Sequence, residues 1–288
     1  MKTLRFYMAV ASFFATAFLT NCSDDLELIS ANTEVFHSQA ADDDYKLYIT
    51  VPKNYNPNES YPVVFYLDGD WYYEFFQNEV DELIESNKIP PCIVVGIGYP
   101  LDGGYKDVCP KCKYKEDEIN INRVRDYTFP ADTTFKVPTG MAPLFTEFLN
   151  DDLIPKMEAD YSTDSSQYYL LGHSIGGIGI FYNLFQHPNT KFDGFAALSS
   201  SIWWQGGHTF SLEEEYNQNY SDLDTKLYIS YGTAESGSLA VHNAEMIDRI
   251  KSRNYPSLQL KTSILKGASH RQVAWDGFRN GMIYLLNE

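Results

Sequence analysis

A chain of 288 residues that is 44% hydrophobic and 15% aromatic can bury a full-sized core, and its length suits one large domain better than two. Its formal charge of -17 surrounds it with a negative field that repels polyanions, which excludes nucleic acid as a partner.

The chain begins MKTLRFYMAVASFFATAFLTN, with Lys2 and Arg5 ahead of an uncharged run from Phe6 to Leu19. That run is too short to span a bilayer and has the shape of a signal-peptide core, so residues 1–21 are expected to be an export signal. Leu19-Thr20-Asn21-Cys22 resembles the lipobox of bacterial lipoproteins, which implies a lipid on Cys22 as the first mature residue. Asn21 departs from the small residue usual before that cysteine, and the alternative is an ordinary secretory signal with Cys22 incidental. Ser23-Asp24-Asp25 resembles the acidic stretch that sends some bacterial lipoproteins to the cell surface. The expected location is therefore the cell envelope, with a membrane anchor at Cys22, an acidic tether over 22–33 and one domain over 34–288. Loss of Lys2 and Arg5 with the signal takes the formal charge from -17 to -19.

Two strands are expected at Glu34 to Ser38 and Tyr45 to Val51, joined as a hairpin through Ala41-Asp42-Asp43-Asp44. Pro62 to Leu67 and Cys92 to Gly98 are continuous apolar runs of the kind buried on both faces of a parallel sheet. Between them Glu74 to Glu85 has helical spacing at Phe75, Phe76, Val80 and Leu83. Further helices are predicted around Leu144 to Met157, Gly176 to Phe185 and Ala240 to Ser252. Further strands are predicted at Tyr168 to Leu171, Phe195 to Ser199, Lys226 to Tyr231 and Leu258 to Leu265. Strand and helix alternate, so the fold class is α/β, a mostly parallel sheet opened by an antiparallel hairpin and covered by helices on both faces. Residues 101–140 break the rhythm and read as a long polar insertion, with Cys109, Cys112 and a charge run from Lys111 to Glu118. Cys109-Pro110-Lys111-Cys112 has no second pair to complete a zinc site, so a local disulfide is expected, and Cys92, inside a strand, reads as a buried free thiol.

Gly172-His173-Ser174-Ile175-Gly176 is a G-x-S-x-G sequence between an apolar strand and an amphipathic helix, the setting of a strained nucleophile turn. Gly172 and Gly176 would make room for Ser174, and Gly177 would let the helix start close to the sheet. A glycine-rich turn with a capping serine is the bland alternative. A serine nucleophile needs a base. Of the histidines, His37 precedes the main sheet, His173 lies within the motif pointing away from the serine, and His187, His208 and His242 fall on helices or loops. His270 follows the last strand, where the chain order serine, acid, histidine puts the base. The loop after Lys226 to Tyr231 offers Glu235, which would orient His270 or serve only as a loop acid or helix cap. Asp222 and Asp224 lie before that strand, at its wrong end. The backbone N–H of Ile175 and that of Asp70, after Leu67-Asp68-Gly69, are the oxyanion-hole candidates, with Trp71 the substitute for Asp70.

The ordered set Tyr61-Pro62-Val63-Val64, Leu67-Asp68-Gly69, Arg125-Asp126-Tyr127-Thr128, Gly172 to Gly177, Ser201-Ile202-Trp203-Trp204 and His270 resembles the putative-esterase (esterase D) family of α/β-hydrolases. The resemblance runs from about Asn32 to the C-terminus. It implies a carboxylic-ester hydrolase using Ser174 and His270, without metal or cofactor. The family includes ferric-siderophore, S-formylglutathione, feruloyl and acetylxylan esterases. Asp68 stands where many carbohydrate esterases carry histidine, which with the Arg-Asp-x-Thr segment leans towards the siderophore branch, some of whose members lack the acid. Trp71, Arg125, Trp203 and Trp204 are the candidate substrate contacts, and Arg123, Lys106, Lys111, Lys113 and Lys115 could add local positive charge. The balancing Asp107, Glu116, Asp117 and Glu118 make a solvated loop the simpler reading of that cluster. The expected substrate is a small-molecule or oligosaccharide ester, first a ferric siderophore ester and alternatively a feruloyl or acetylxylan ester. A lipoprotein that binds a glycan or siderophore without turnover on the same scaffold is the alternative of another class.

Overall fold

The structure, a computed structural model, describes residues 32–100, 115–186 and 190–287, with side chains over 119–185 in the second stretch. The expected signal segment, Cys22, the tether as far as residue 31, Cys109, Cys112, Lys106, Lys111, Lys113, the Lys115 side chain and His187 lie outside the described residues.

The hairpin is formed by β1 (Asn32–Ser38) and β2 (Asp43–Thr50), so the strand already begins where the tether was expected to end. Next come β3 (Tyr61–Leu67), α1 (Gly69–Glu85), β4 (Ile93–Gly98) and α2 (Lys115–Tyr127). The helix expected from Leu144 starts earlier, as α3 (Ala142–Glu147), and runs through a π-helical turn at Phe148–Leu153 into α4 (Ile154–Asp160). The chain then alternates through β5 (Thr163–His173), α5 (Ile175–Gln186), β6 (Gly194–Leu198), α6 (His208–Asn219), β7 (Lys226–Gly232), α7 (Gly237–Arg253), β8 (Gln259–Leu265) and α8 (His270–Leu285).

The sheet order is β1-β2-β4-β3-β5-β6-β7-β8. Only the β1–β2 and β2–β4 pairings are antiparallel. The remaining pairings are parallel. The fold is that of an α/β-hydrolase. The inner strands Tyr61–Leu67, Ile93–Gly98 and Gly194–Leu198 are buried along their whole length, because helices cover both faces. On one face Tyr72, Phe76, Val80 and Leu83 of α1 pack with Val273, Phe278 and Met282 of α8, and Tyr66 of β3 stacks on Phe76 at 3.7 Å. On the other, Phe65, Leu170, Phe195 and Ile229 meet Phe181, Phe148 and Met246. Cys92 is a buried free thiol, its pKa pushed up to about 12 by burial.

Three helices depart from the sequence expectations. Within the expected insertion lies α2, whose buried face includes Asn122, Arg123, Arg125 and Asp126 beside Ile119 and Tyr127. A helix that buries polar side chains against partners from elsewhere in the chain leaves no hydrophobic period to read. His208–Asn219 and His270–Leu285 were also not anticipated as helices. For the latter a signal was present, since Ser269 and Gln272 form a capping box in which the Ser269 N–H donates to Gln272 Oε1 at 2.9 Å.

Candidate active site

A parallel sheet turns every helix N-terminus of its crossovers towards the carboxyl ends of the strands. Here the first residues of α1, α5 and α8 come from the turns after β3, β5 and β8, and those turns, with the one after β7, carry Asp70, Ser174, Ile175, His270 and Glu235.

Ser174 has φ +62°, a left-handed conformation that an L-residue adopts only where its surroundings impose it. Those surroundings are backbone hydrogen bonds: its N–H donates to Leu198 O at 2.9 Å, and its O accepts from Gly177 N at 3.1 Å and Ser201 N at 2.9 Å. The flanking glycines are not alike, and one differs from what was expected. A Cβ on Gly172 would fall 2.7 Å from Gly176 O, so the turn does require glycine there. At Gly176 the nearest atom would be Asp68 Oδ2 at 3.4 Å, an ordinary contact, so the expectation that both must be bare is corrected for Gly176. Gly177 makes room for Ser200, whose Oγ would lie 2.3 Å from an added Cβ.

His270 opens α8, and its Nδ1 lies 2.7 Å from Glu235 Oε1. A carboxylate can only accept, so Nδ1 carries the proton and Nε2 is left as the basic nitrogen. The Glu235 side chain is fully buried, while the His270 side chain is 37% exposed. The second oxygen, Oε2, accepts from Ser199 Oγ and Gly232 N, each at 2.9 Å. Burial acts to raise the Glu235 pKa, but the bonds from His270, Gly232 and Ser199 outweigh it and hold the carboxyl below its usual value. Ser174 Oγ lies 3.3 Å from Ser201 Oγ.

His173 turns away from the serine, as the sequence reading had it. Its Nε2 donates to His270 O at 3.0 Å, its Nδ1 accepts from the Tyr72 hydroxyl at 3.1 Å, and its ring stands 4.3 Å from that of His270. Burial, the neighbouring His270 and Arg123 hold its pKa well below that of an ordinary imidazole, so it is neutral.

Ile175 is the first residue of α5 and Asp70 the second of α1, so both N–H groups belong to helix N-termini where intrahelical acceptors are missing. The Asp70 carboxylate points elsewhere, accepting from the Tyr48 hydroxyl at 2.7 Å and Tyr99 N–H at 2.8 Å, which pins the start of α1. Trp71 N–H donates to Asp68 O at 2.9 Å within the same turn, which favours Asp70 over Trp71 as an oxyanion donor.

Two expectations for substrate contacts are corrected. Arg125 is buried, its Nε and Nη2 donate to Asp126 at 2.6 and 2.8 Å, and its Nη1 pairs with Asp43 of the hairpin, so its charge is neutralised at the β1–β2 edge. Trp204 is buried too, with Nε1 donating to Pro130 O at 3.4 Å and its ring against Phe135. Trp203 is exposed. Trp71 lies under the Arg123 guanidinium at 4.7 Å and lines a cleft of about 450 Å³ with Asp70, Tyr72, Tyr73, Arg271 and Trp275. Arg123 is not a free local charge either, since it grips Asp68 with two bonds of 2.8 Å. A larger cleft, about 660 Å³, lies between β8 and the C-terminal half of α8 and is lined by neither Ser174 nor His270.

This arrangement can be set against known proteins. A family model described as putative esterase matches residues 38–283. The chain belongs to that family. Its sequence relatives include the ferri-bacillibactin esterase BesA of Bacillus subtilis strain 168, 27% identical over 194 residues that cover 60% of this chain and 62% of BesA. The apo-salmochelin esterase of Escherichia coli O6:H1 is 26% identical over 46% of this chain and 40% of its own length. The chain thus matches less than two thirds of the length of either. Among solved structures, the BES protein from Bacillus cereus superposes with TM-score 0.75 at 23% identity over the whole of both chains. The siderophore hydrolase EstB from Aspergillus nidulans gives TM-score 0.74 at 20% identity, over 91% of this chain and 96% of EstB. At these identities the superpositions establish the fold.

Sequence reasoning missed Ser199 and Ser201 as partners of Glu235 and Ser174. Both stand in the run Ser199-Ser200-Ser201 directly after a buried strand, a polar cluster at a carboxyl end that could have drawn notice.

Proposed function

We propose that the protein is a serine-dependent carboxylic-ester hydrolase working through an acyl-enzyme. The observation that carries this reading is the 2.7 Å bond between His270 Nδ1 and the buried Glu235, at the sheet end where Ser174 sits in its left-handed turn. Ser174 Oγ attacks the ester carbonyl while His270 Nε2 takes its proton, and Glu235 stabilises the imidazolium that results. The N–H groups of Ile175 and Asp70 receive the negative charge that develops on the carbonyl oxygen. His270 then protonates the leaving alkoxide, and in the second half it activates the water that releases the acid and frees Ser174.

The substrate class is a siderophore ester. Both relatives named above bear the names of siderophore esterases, and the cleft beside Asp70 offers Trp71, Tyr73 and Trp275 as flat surfaces for an aryl group. The enzyme acts outside the cytoplasm, held by a lipid on Cys22, a reading supported by the charge and apolar pattern of residues 1–22. Hydrolysis of p-nitrophenyl acetate tests the reaction. A parallel assay of a ferric triscatecholate ester, a feruloylated arabinoxylan fragment and an acetylated xylan oligomer tests the substrate class. Turnover of the first at the highest kcat/KM is expected. Preference for either sugar ester overturns the substrate class, and no turnover of any ester, with binding retained, overturns the enzyme reading.

A further inference from the structure

The imidazole of His173 takes no part in the steps above, although it is the chain neighbour of the nucleophile. It is 5% exposed and spans two helices of the same layer, with Tyr72 of α1 on Nδ1 and the backbone oxygen of His270 in α8 on Nε2. Its own main chain is held in β5, where it registers with Leu198 of β6. It therefore belongs to the carboxyl end of an inner strand of a buried parallel sheet, and reaches from there to the first turn of α8. That turn is the exposed end of a helix, closed by the Ser269–Gln272 capping box at the surface. Glu235 holds the His270 ring through Nδ1, which fixes its rotation but does not hold its main chain. A second tether, on the backbone of the same residue, is what His173 supplies.

We infer that Tyr72 and His173 form a positioning pair that sets the main chain of His270 relative to Ser174, so that the residue just before the serine in the G-x-S-x-G turn couples the nucleophile to its base. The pair works in one protonation state. A carbonyl oxygen can only accept, so Nε2 must keep its proton and Nδ1 must stay bare for the Tyr72 hydroxyl. The groups that face His173 favour this state: Arg123 Nη2, from α2, lies 3.4 Å from its carbonyl oxygen, with Asp68 paired beyond, and the His270 ring lies on its other side. A second positive charge there would oppose the imidazolium that His270 becomes during turnover. His173 and Tyr72 are positioning residues, since neither is placed on the reacting atoms.

The inference rests on the ester-hydrolase reading, and the test separates the two. His173→Leu removes both bonds, His173→Gln keeps an amide that can donate to His270 O and accept from Tyr72, and Tyr72→Phe removes the outer bond alone. On p-nitrophenyl acetate, His173→Leu is expected to lower kcat by about 100-fold with KM within about twofold, the size of effect that a misplacement near 1 Å produces. His173→Gln should recover to within about tenfold of wild type, and Tyr72→Phe should fall between the two. The rate at which a fluorophosphonate labels Ser174 should follow the same order. Equal losses in the Leu and Gln variants, or unchanged kcat and labelling in Leu, overturn the inference. If His173→Leu does not fold, the order wild type, Gln, Tyr72→Phe in kcat carries the decision, and a Tyr72→Phe variant as fast as wild type overturns it. If wild-type protein hydrolyses no ester, the function reading fails, and the labelling rates still decide the positioning role.

Discussion

Two buried carboxylates flank the serine turn, and the molecule uses them in opposite ways. Asp68, after β3, is closed off by Arg123, which donates to both of its oxygens at 2.8 Å. Burial disfavours the Arg123 charge, but Asp68 holds the guanidinium pKa above its usual value, so Arg123 stays charged. Glu235, after β7, shares its oxygens among a hydroxyl, a backbone N–H and an imidazole. Its partner His270 is partly exposed. The difference teaches how position sorts like groups: an Arg partner makes a carboxylate a fastener, whereas a His partner makes it part of an acid–base system.

The strongest test of the catalytic side is Ser174→Ala. Without the proposed nucleophile, kcat on p-nitrophenyl acetate should fall by at least about 10⁴-fold, while near-UV circular dichroism stays as in wild type. Glu235→Gln comes next. The amide can still accept from Ser199 and Gly232, but its NH₂ faces His270 Nδ1 and favours the wrong tautomer, so kcat should drop by about 10² to 10⁴-fold. A variant that keeps wild-type kcat would show that Ser174 and His270 act as a dyad and that Glu235 is a fastener like Asp68.

On the structural side, Asp68→Ala leaves a buried guanidinium without its counter-charge and should cost about 3–5 kcal/mol in urea unfolding. Asp68→Ala with Arg123→Met should recover much of that loss, since the double variant removes the uncompensated charge as well. If the single variant loses less than about 1 kcal/mol, Arg123 has found water and the pair is less sealed than its burial implies.

The same contrast extends to pH. His173 has its pKa depressed from the ordinary 6.5, so the unfolded chain takes up a proton below that value and the native one does not. Stability is therefore complete above pH 6.5 and declines as pH falls, by at most about 1.4 kcal/mol per unit for one proton. Glu235, depressed from 4.5, adds its own loss only as pH falls below that value. Urea midpoints at pH 7.5, 5.5 and 4 follow this, and His173→Gln should flatten the first part of the decline.

The meeting of His270 and Glu235 was legible because it follows from chain order: each comes directly after a strand that the apolar pattern marks, and a parallel sheet brings such ends together. Arg125 was misread for the complementary reason. Sequence displays its charge but not Asp43, its partner some eighty residues away in the hairpin, and so a neutralised pair looked like a free cation. The same blindness hid α2, whose buried face is polar and satisfied at long range. Ser199 was illegible among three consecutive serines, because its role depends on which hydroxyl the turn after β6 aims at Glu235. The roles of the glycines were likewise only half visible, since the spacing of G-x-S-x-G shows which residues are small but not which of them is crowded.

The smallest expected effect lies in that last distinction. Gly176 is a helical position, with a negative φ and an open approach down to Asp68 Oδ2 at 3.4 Å. Replacing glycine by alanine inside a helix gains about 0.5–1 kcal/mol from backbone entropy when no contact opposes it. The contact with the Asp68 carboxylate sets that gain against a slight push on the Asp68–Arg123 pair. Gly176→Ala is therefore expected to unfold at the same urea concentration as wild type or slightly higher, with kcat within about threefold, because the Ser174 φ is imposed by bonds to Leu198, Gly177 and Ser201 and not by the absence of a Cβ two residues on. A loss of more than about 1 kcal/mol would mean that the Asp68–Arg123 pair cannot yield even a few tenths of an ångström, making the fastener on one side of the turn a constraint on the nucleophile itself.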